Sequence, residues 1–459
     1  MNIQFYNTLT RKKEKLNPIK MGEVSIYTCG PTVYKRSHIG NFRTFIFEDV
    51  LKRVLLLVGY KVKHVMNITD IDDKTIKKAN EENKSLQSIT SKYTSEFMDD
   101  LNTLKILSAN KYPAATDHIQ EMIAMITSLI EKGNAYVTDD GSVYFSISSY
   151  ENYGKLAKLD MSNQKQTNRV AFDEYTKDNI QDFVLWKSWK KEDGDISWVS
   201  PWGDGRPGWH IECSVMSTQY LGDHFDIHCG GVDNIFPHHE NEIAQSCSAL
   251  ETKFVNIWMH SEHLNMADEK MSKSLGNIKT IPELLNDGHS AESLRYALIS
   301  SHYRSKLAFS IKKLDGAKKA VHRLNDVFEK LNSRKIDNDL LPEEYSKFIE
   351  SLSDDLNTPK ALGILFNYVR VLNRKISKNK LSDKEASMGI NFINKADKVF
   401  SLLIDKIKIP SDISQLISKR EKAREEKQWA LSDFLRDELK SKGWIVEDTP
   451  EGSKCYPVQ

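Results

Sequence analysis

Residues 24–69 read VSIYTCGPTVYKRSHIGNFRTFIFEDVLKRVLLLVGYKVKHVMNIT, and the order of patterns within them decides the fold. Residues 24–29 and 61–69 have the apolar, β-branched character of strands, while 41–58 carry Phe42, Phe45, Val50, Val54 and Leu57 near one face of a helix. Strand, helix and returning strand form a crossover unit, so the two strands run parallel and the chain reads as an α/β protein. In such sheets ligands lie beyond the carboxyl ends of the strands, which Cys29-Gly30 and Thr69-Asp70 occupy here.

The segment joining the first strand to the helix runs from Cys29 to Asn41 and contains Gly30, Lys35, Arg36, Ser37, His38 and Gly40. A helix N-terminus attracts phosphate, glycine allows close approach, and a nearby imidazole can donate to a phosphoryl oxygen as its charge grows. The same residues would also make an ordinary capped loop.

Farther along, Trp209-His210-Ile211-Glu212-Cys213 and residues 226–242, DIHCGGVDNIFPHHENE, concentrate metal-ligand types in a short stretch. His238 and Glu242 stand one turn apart on a helix begun after Pro237, and so project from the same face. With Cys213 they make three ligands of the kinds zinc takes; Cys29, at the end of the first strand, is the obvious fourth, and Cys229 is a competing thiol. A salt-linked helix face and buried cysteines would explain the same residues without a metal. The pattern is not the zincin motif, because Ile243 stands where a second histidine is required, and it is not a zinc finger, because Cys29 and Cys213 are too distant for a local knuckle. Any site is therefore assembled by the fold.

The chain has 459 residues, 39% hydrophobic and 28% charged, with a net charge of +1. That length suits about two to four domains of a soluble protein. No apolar run approaches a membrane span and Arg11-Lys12-Lys13 leads into no signal-peptide core, so a cytoplasmic protein without membrane partners is expected. The 5 cysteines are few and odd in number, which favours metal binding over a disulfide framework. With no global basic charge, a polyanion would have to be held by local patches.

In the rest of the chain, helices are expected over 86–107 and 118–132, and a hairpin turned at Asp140-Gly141; residues 150–200 show no period. Residues 110–205 read as an insertion in the sheet, which resumes at Trp209 and includes strands over 224–228 and 254–260. Lys270-Met271-Ser272-Lys273-Ser274, in a loop, would make a mobile cationic clamp for a polyphosphate, or a plain surface turn. Beyond Ile311 the chain is almost wholly helical, with apolar stripes Leu362, Leu365, Val369, Leu372, Ile376 and Ala430, Phe434, Leu439; Ile407–Asp412 looks like a linker, and a small hairpin ends the chain.

Ser37-His38-Ile39-Gly40-Asn41 followed by Lys270-Met271-Ser272-Lys273-Ser274, with a parallel sheet between, resembles the paired signatures of class I aminoacyl-tRNA synthetases. The motifs at 28–34, 67–74, 209–213 and 236–242 narrow the resemblance, over nearly the whole chain, to the cysteinyl-tRNA synthetase family. The resemblance implies a Rossmann-like parallel sheet with an inserted domain, then a helical bundle and a small C-terminal domain. The expected divisions are 1–109 and 206–260 for the catalytic halves, 110–205 for the insertion, 261–310 for the signature loop and stem-contact region, 311–409 for the bundle and 410–459 for an anticodon-binding domain.

The resemblance also implies one Zn2+ on Cys29, Cys213, His238 and Glu242, with His239 and Glu240 beside it or on the helix face. It implies ATP with Mg2+, L-cysteine and tRNA(Cys) as partners of a monomer. His38 and Asn41 would contact the phosphates, and Lys273 with Lys270 would neutralise the developing pyrophosphate. Gly230, Gly231 and Asp233 would meet adenosine, and Gly30, Thr69 and Trp209 would line the amino-acid pocket. Within a terminal pattern that includes Arg420, Arg436 and Asp437, the residues Arg424, Asp433 and Asp448 would read the anticodon.

A shape-only pocket separates cysteine from serine by roughly 1–3 kcal/mol, whereas a metal with affinity for sulfur takes the thiolate that a hydroxyl cannot imitate. No editing domain is therefore expected. A ligase joining activated cysteine to a small-molecule amine would not need the terminal helices. A non-catalytic, zinc-stabilised RNA-binding protein would leave both phosphate-binding signatures unexplained.

Overall fold

The computed structural model describes residues 2–159, 169–170, 181–266, 279–332, 340–405, 410–449 and 452–457. The chain forms two compact units, Met1–Leu403 and Ile404–Gln459. At the centre of the first lie β1 (Glu23–Thr28), α1 (Ile39–Leu57), β2 (Lys61–Met66), α2 (Trp209–Leu221), β3 (Phe225–Gly231), α3 (His238–Leu250) and β4 (Val255–Ser261). The four strands are all parallel, in the order β4-β3-β1-β2. The chain leaves β1 toward one edge and comes back as β3 on its other side, so β1 and β3 flank the switch point where a doubly wound sheet opens a ligand crevice.

Both faces of the sheet are covered, which is why its strands read as nearly continuous apolar runs. Val24, Ile26, Ile227, Cys229, Ile257 and Met259 pack with Phe42, Ile46 and Val50 of α1 on one side. Tyr27, Val65, Phe225 and Trp258 pack with Ile211, Cys213 and Ala244 of α2 and α3 on the other. The period of two along β3 thus sends His228 and Cys229 to opposite faces. α1 is buried almost throughout, and one of its acids is paired inside: Asp49 takes Arg53 at 2.8 Å and the fully buried Arg295 at 2.7 Å. Breaking such a pair leaves an unmatched buried charge, so this cluster holds α1, and with it the His38 loop, in one place.

Between β2 and α2 the chain builds a separate sheet from Ala135–Val137, Val143–Phe145, Asp182–Ser188 and Gly205–Pro207, joined by Arg169–Val170. The expected hairpin is present and Gly141 turns it at φ +83. Asp182–Ser188 has no readable period because Phe183–Lys187 are all buried, on both faces. Four helices, Ile311–Asn332, Glu343–Ser353, Thr358–Ser377 and Asp383–Phe400, follow, and Leu362, Leu365, Val369 and Leu372 are buried as the spacing predicts.

The second unit packs helices Ser411–Glu425 and Trp429–Ser441 with the antiparallel strands Trp444–Thr449 and Gly452–Pro457. Its stripe differs from the expected one. Leu439 is buried, but with Ser432 and Leu435; Ala430 is exposed and Phe434 is 62% exposed. The helix is rotated so that Leu435 and Leu439 meet Ile413 and Leu416, which leaves Phe434 and Trp429 in solvent.

Candidate active site and metal centre

The carboxyl ends of β1 and β3 open into a cleft of about 490 Å³ lined by Cys29, Gly30, His38, Asn41, Trp209, Gly231 and Asp233, among others. One wall is the start of α1. His38 is its N-cap: Nδ1 accepts from the Gly40 amide at 3.2 Å, while the Asn41 side-chain oxygen accepts from the His38 amide at 3.1 Å. Because Nδ1 is an acceptor, the neutral ring carries its proton on Nε2, which makes that nitrogen a donor. The Ile39 amide donates to the Lys279 carbonyl at 3.0 Å, which ties the chain after the second signature to the first. Lys270 and Lys273 lie outside the described residues.

At the base of the cleft four side chains from four places in the chain converge. Ligand atoms of Cys29, Cys213, His238 and Glu242 all lie within 4.8 Å of one another. The two sulfurs are 4.0 Å apart, and His238 Nε2 is 3.1 Å from Glu242 Oε1. These last two atoms are buried without a hydrogen-bond partner, a costly arrangement for polar atoms unless something else binds them. Their other atoms are held: His238 Nδ1 meets His210 Nδ1 at 2.9 Å, and Glu242 Oε2 meets His228 Nε2 at 2.9 Å. Burial pushes both thiols up and His238 down to about 3, as it disfavours charge on each group. A cation at their centre would reverse that preference. This is a possible Cys/His/Glu metal site.

A second set, Cys29, His228, His239 and Glu242, meets the same distance test. It is the weaker candidate because its nitrogens are already engaged, His228 Nε2 by Glu242 and His239 Nε2 by Cys29 Sγ at 3.3 Å. His239 passes a hydrogen bond on through His260 to Thr8, 2.8 Å at each step. Cys229 is no rival ligand, since it faces α1 on the other side of the sheet. Glu240 accepts from the Gly154 and Ala157 amides, 2.8 Å each, and so shapes the neighbouring sheet's approach.

Trp209 stacks on His238 with ring centres 4.1 Å apart and walls the cleft. Thr69, 1% exposed, does not line the cleft; its hydroxyl donates to Glu212 Oε2 at 2.9 Å. A Cβ on Gly30 would fall 1.7 Å from the Asn67 carbonyl oxygen, so only glycine lets the two strand ends approach this closely. Gly30→Ala is therefore expected to destabilise the protein by about 1–3 kcal/mol through overpacking, read as a lowered urea midpoint. An unchanged midpoint would contradict the close approach. Gly230 sits against His239, its Cβ position 2.8 Å from that ring, whereas Gly231 and Asp233 face the cleft.

In the second unit, Arg424 lies over the exposed Trp429 ring at 5.9 Å and Asp433 is exposed on the next helix. Asp448 falls on strand Trp444–Thr449 opposite Ser453. Arg420 is 1% exposed and hydrogen-bonds Ser453, which makes it part of the framework. Sequence reading did not single out the partners His210, His228 and His260. The alternation along β3 carried the signal for His228; the other two depended on packing. The exposed rings of Trp429 and Phe434 were equally missed, hidden by the misplaced stripe.

Comparison with known proteins agrees with this layout. Solved structures of similar fold include methionyl-tRNA synthetase of Mycobacterium tuberculosis with methionyl-adenylate (TM-score 0.61, 14% identity, 90% of this chain and 96% of that one). Another is the LeuRS of Agrobacterium radiobacter in a ternary complex with tRNA (TM-score 0.58, 10% identity, 84% of this chain and 85% of that one). The parallel sheet and the capped helix at its switch point give the chain the fold of these neighbours, and the match of residues 15–319 to a class I tRNA synthetase catalytic domain makes it a class I aminoacyl-tRNA synthetase.

The family model for the class I (C) catalytic domain of tRNA synthetases matches residues 15–319, the DALR domain matches 347–404, and the cysteinyl-tRNA ligase anticodon binding domain matches 408–454. Cysteine–tRNA ligases of Protochlamydia amoebophila and Brachyspira hyodysenteriae are 46% and 48% identical to it, covering 98% and 99% of this chain and 97% and 99% of their own. The chain belongs to the cysteine–tRNA ligase family, whose reaction joins an amino acid to tRNA. No helix among the described residues is long and apolar enough to cross a membrane.

Proposed function

We propose that the chain activates L-cysteine with ATP, releases pyrophosphate and passes the cysteinyl group to the 3′ end of tRNA(Cys), with one Zn2+ held by Cys29, Cys213, His238 and Glu242. The observation that carries the zinc reading is the pair of buried, unpartnered atoms, His238 Nε2 and Glu242 Oε1, facing two thiols. The sulfur separation of 4.0 Å also fits, since two bonds of about 2.3 Å at a tetrahedral angle span ~3.8 Å. Zinc at this place would supply an affinity for the substrate thiolate that a serine hydroxyl does not satisfy.

The protein's own part is positioning and charge neutralisation, since the cysteine carboxylate attacks the α-phosphate in line and pyrophosphate leaves. His38 Nε2–H donates to a phosphate oxygen. Asn41, its side-chain oxygen engaged on the His38 amide, holds the loop in shape and has its amide NH2 left to donate. Gly231 and Asp233 line the adenosine side, with Gly230 allowing His239 to pack behind them; Trp209 and Gly30 bound the amino acid. Lys273, with Lys270, neutralises the leaving pyrophosphate, and Mg2+ accompanies ATP. Lys273→Ala is expected to slow ATP–pyrophosphate exchange about 100-fold or more while leaving cysteine binding within a few-fold; unchanged exchange would remove it from the reaction.

Arg424, Asp433 and Asp448 are proposed to meet unpaired anticodon bases, supported by the exposed Trp429 ring beside Arg424, which offers a stacking surface. A monomeric, cytoplasmic enzyme without editing is the corresponding reading, with the divisions 1–109, 110–205, 206–260, 261–310, 311–409 and 410–459. Metal content measured alongside cysteine-dependent exchange, with serine as control, tests the central claim.

A further inference from the structure

Arg36, two residues before the cap of α1, lines the cleft and reaches across to helix Leu86–Thr103. Phe97 of that helix packs edge-on against Phe45 of α1 with ring centres 5.1 Å apart, and Asp100, about one turn further on, is carried to the same face, where it is 1% exposed. Arg36 Nε donates to Asp100 Oδ2 at 3.0 Å and Nη2 donates to Oδ1 at 2.7 Å. Two bonds to one carboxylate fix the plane of the guanidinium as well as its position. A guanidinium has five N–H donors. Two are committed to Asp100, and Glu96 stands 4.0 Å from Nη1, beyond hydrogen-bond distance, so among the described residues the other donors have no acceptor. Lys35 and Lys74 line the same cleft, against the acids Asp233 and Glu262. A cation braced by a buried carboxylate, with donors left open in a substrate cleft, is built to receive an anion.

We infer that Arg36, held by Asp100, is a phosphate-binding residue of this cleft and takes the polyphosphate of ATP. The inference rests on the proposed activation of cysteine by ATP and adds a contact that lies outside both signature motifs. ATP is favoured over the 3′ strand of tRNA because it brings its whole polyphosphate into the cleft and Arg36 belongs to the loop that ends on His38, whereas tRNA reacts through an uncharged hydroxyl. An arginine fork meets two phosphate oxygens at once and, unlike an imidazole, keeps its charge at every working pH.

The test compares ATP with adenosine, which has no phosphate. In the full-length protein, Arg36→Met is expected to raise the KM for ATP in pyrophosphate exchange about 10- to 100-fold, while the KM for cysteine and the inhibition constant of adenosine stay within about twofold. Because that substitution leaves Asp100 buried without its cation, Arg36→Met combined with Asp100→Leu, which removes both charges, is measured beside it and should show the same loss for ATP. Asp100→Asn keeps the shape and the full charge of Arg36 while loosening its fork, and should cost only about threefold. Equal losses in Arg36→Met and Asp100→Asn would make Arg36 a brace for the loop alone and overturn the inference, as would an unchanged KM for ATP in both Arg36 variants. A loss confined to transfer from preformed cysteinyl-adenylate to tRNA would overturn the assignment to ATP and give Arg36 to the 3′ strand. Absence of cysteine-dependent exchange in the unsubstituted protein would instead overturn the reading on which it rests.

Discussion

Cys213→Ser is expected to abolish stoichiometric metal and to lower cysteine-dependent pyrophosphate exchange by more than about 100-fold, since loss of even an indirect partner of a metal ligand costs about 10–100-fold in affinity. The substitution is nearly isosteric, so α2 should remain folded and the far-ultraviolet circular dichroism unchanged. What changes is the donor: a serine hydroxyl stays protonated at neutral pH and is a poor ligand for a borderline-soft cation. The residual activity should also discriminate less well, because the remaining contacts separate cysteine from serine only by shape, worth roughly 1–3 kcal/mol. Atomic spectroscopy of the dialysed protein and exchange with each amino acid give the two readouts. Retained metal with unchanged preference for cysteine would remove zinc from the selection step.

Truncation after Ile409 is the second large effect. The units Met1–Leu403 and Ile404–Gln459 are each compact, with Ile413, Leu416, Leu435 and Leu439 forming a small core that belongs to the second alone. Removing that unit should leave exchange within about twofold, as a self-contained domain folds on its own core. Aminoacylation should fall by more than about 100-fold, because each stacked or hydrogen-bonded anticodon base contributes about 1–3 kcal/mol to tRNA binding. Equal loss of both activities would mean that the two units do not work as separate modules.

Much of the fold was legible in residues 24–69 because local pattern and global topology agree there. The strand and helix periods are unmistakable, and a crossover connection admits one handedness. The observed α1, Ile39–Leu57, begins two residues earlier than its apolar face suggests because His38 and Asn41 form the cap. Asp182–Ser188 stayed hidden for the opposite reason: burial on both faces erases alternation. Phe434 misled because an aromatic at helical spacing is usually core, and here it is turned to solvent beside Trp429.

Of the site, the sequence by itself determined which residue types could bind a metal, that His238 and Glu242 share a helix face, and that a phosphate-binding helix start follows Cys29. Those are properties of neighbours along one element, where a period is enough. Only the tertiary structure decided that Cys229 points away from the cluster while Cys29 points into it, that His210 and His228 hold His238 and Glu242 with one atom of each left open, and that Glu212 takes the Thr69 hydroxyl. Each of these depends on the facing of strands and helices far apart in the chain, and that is set by which side of the sheet each side chain is packed on.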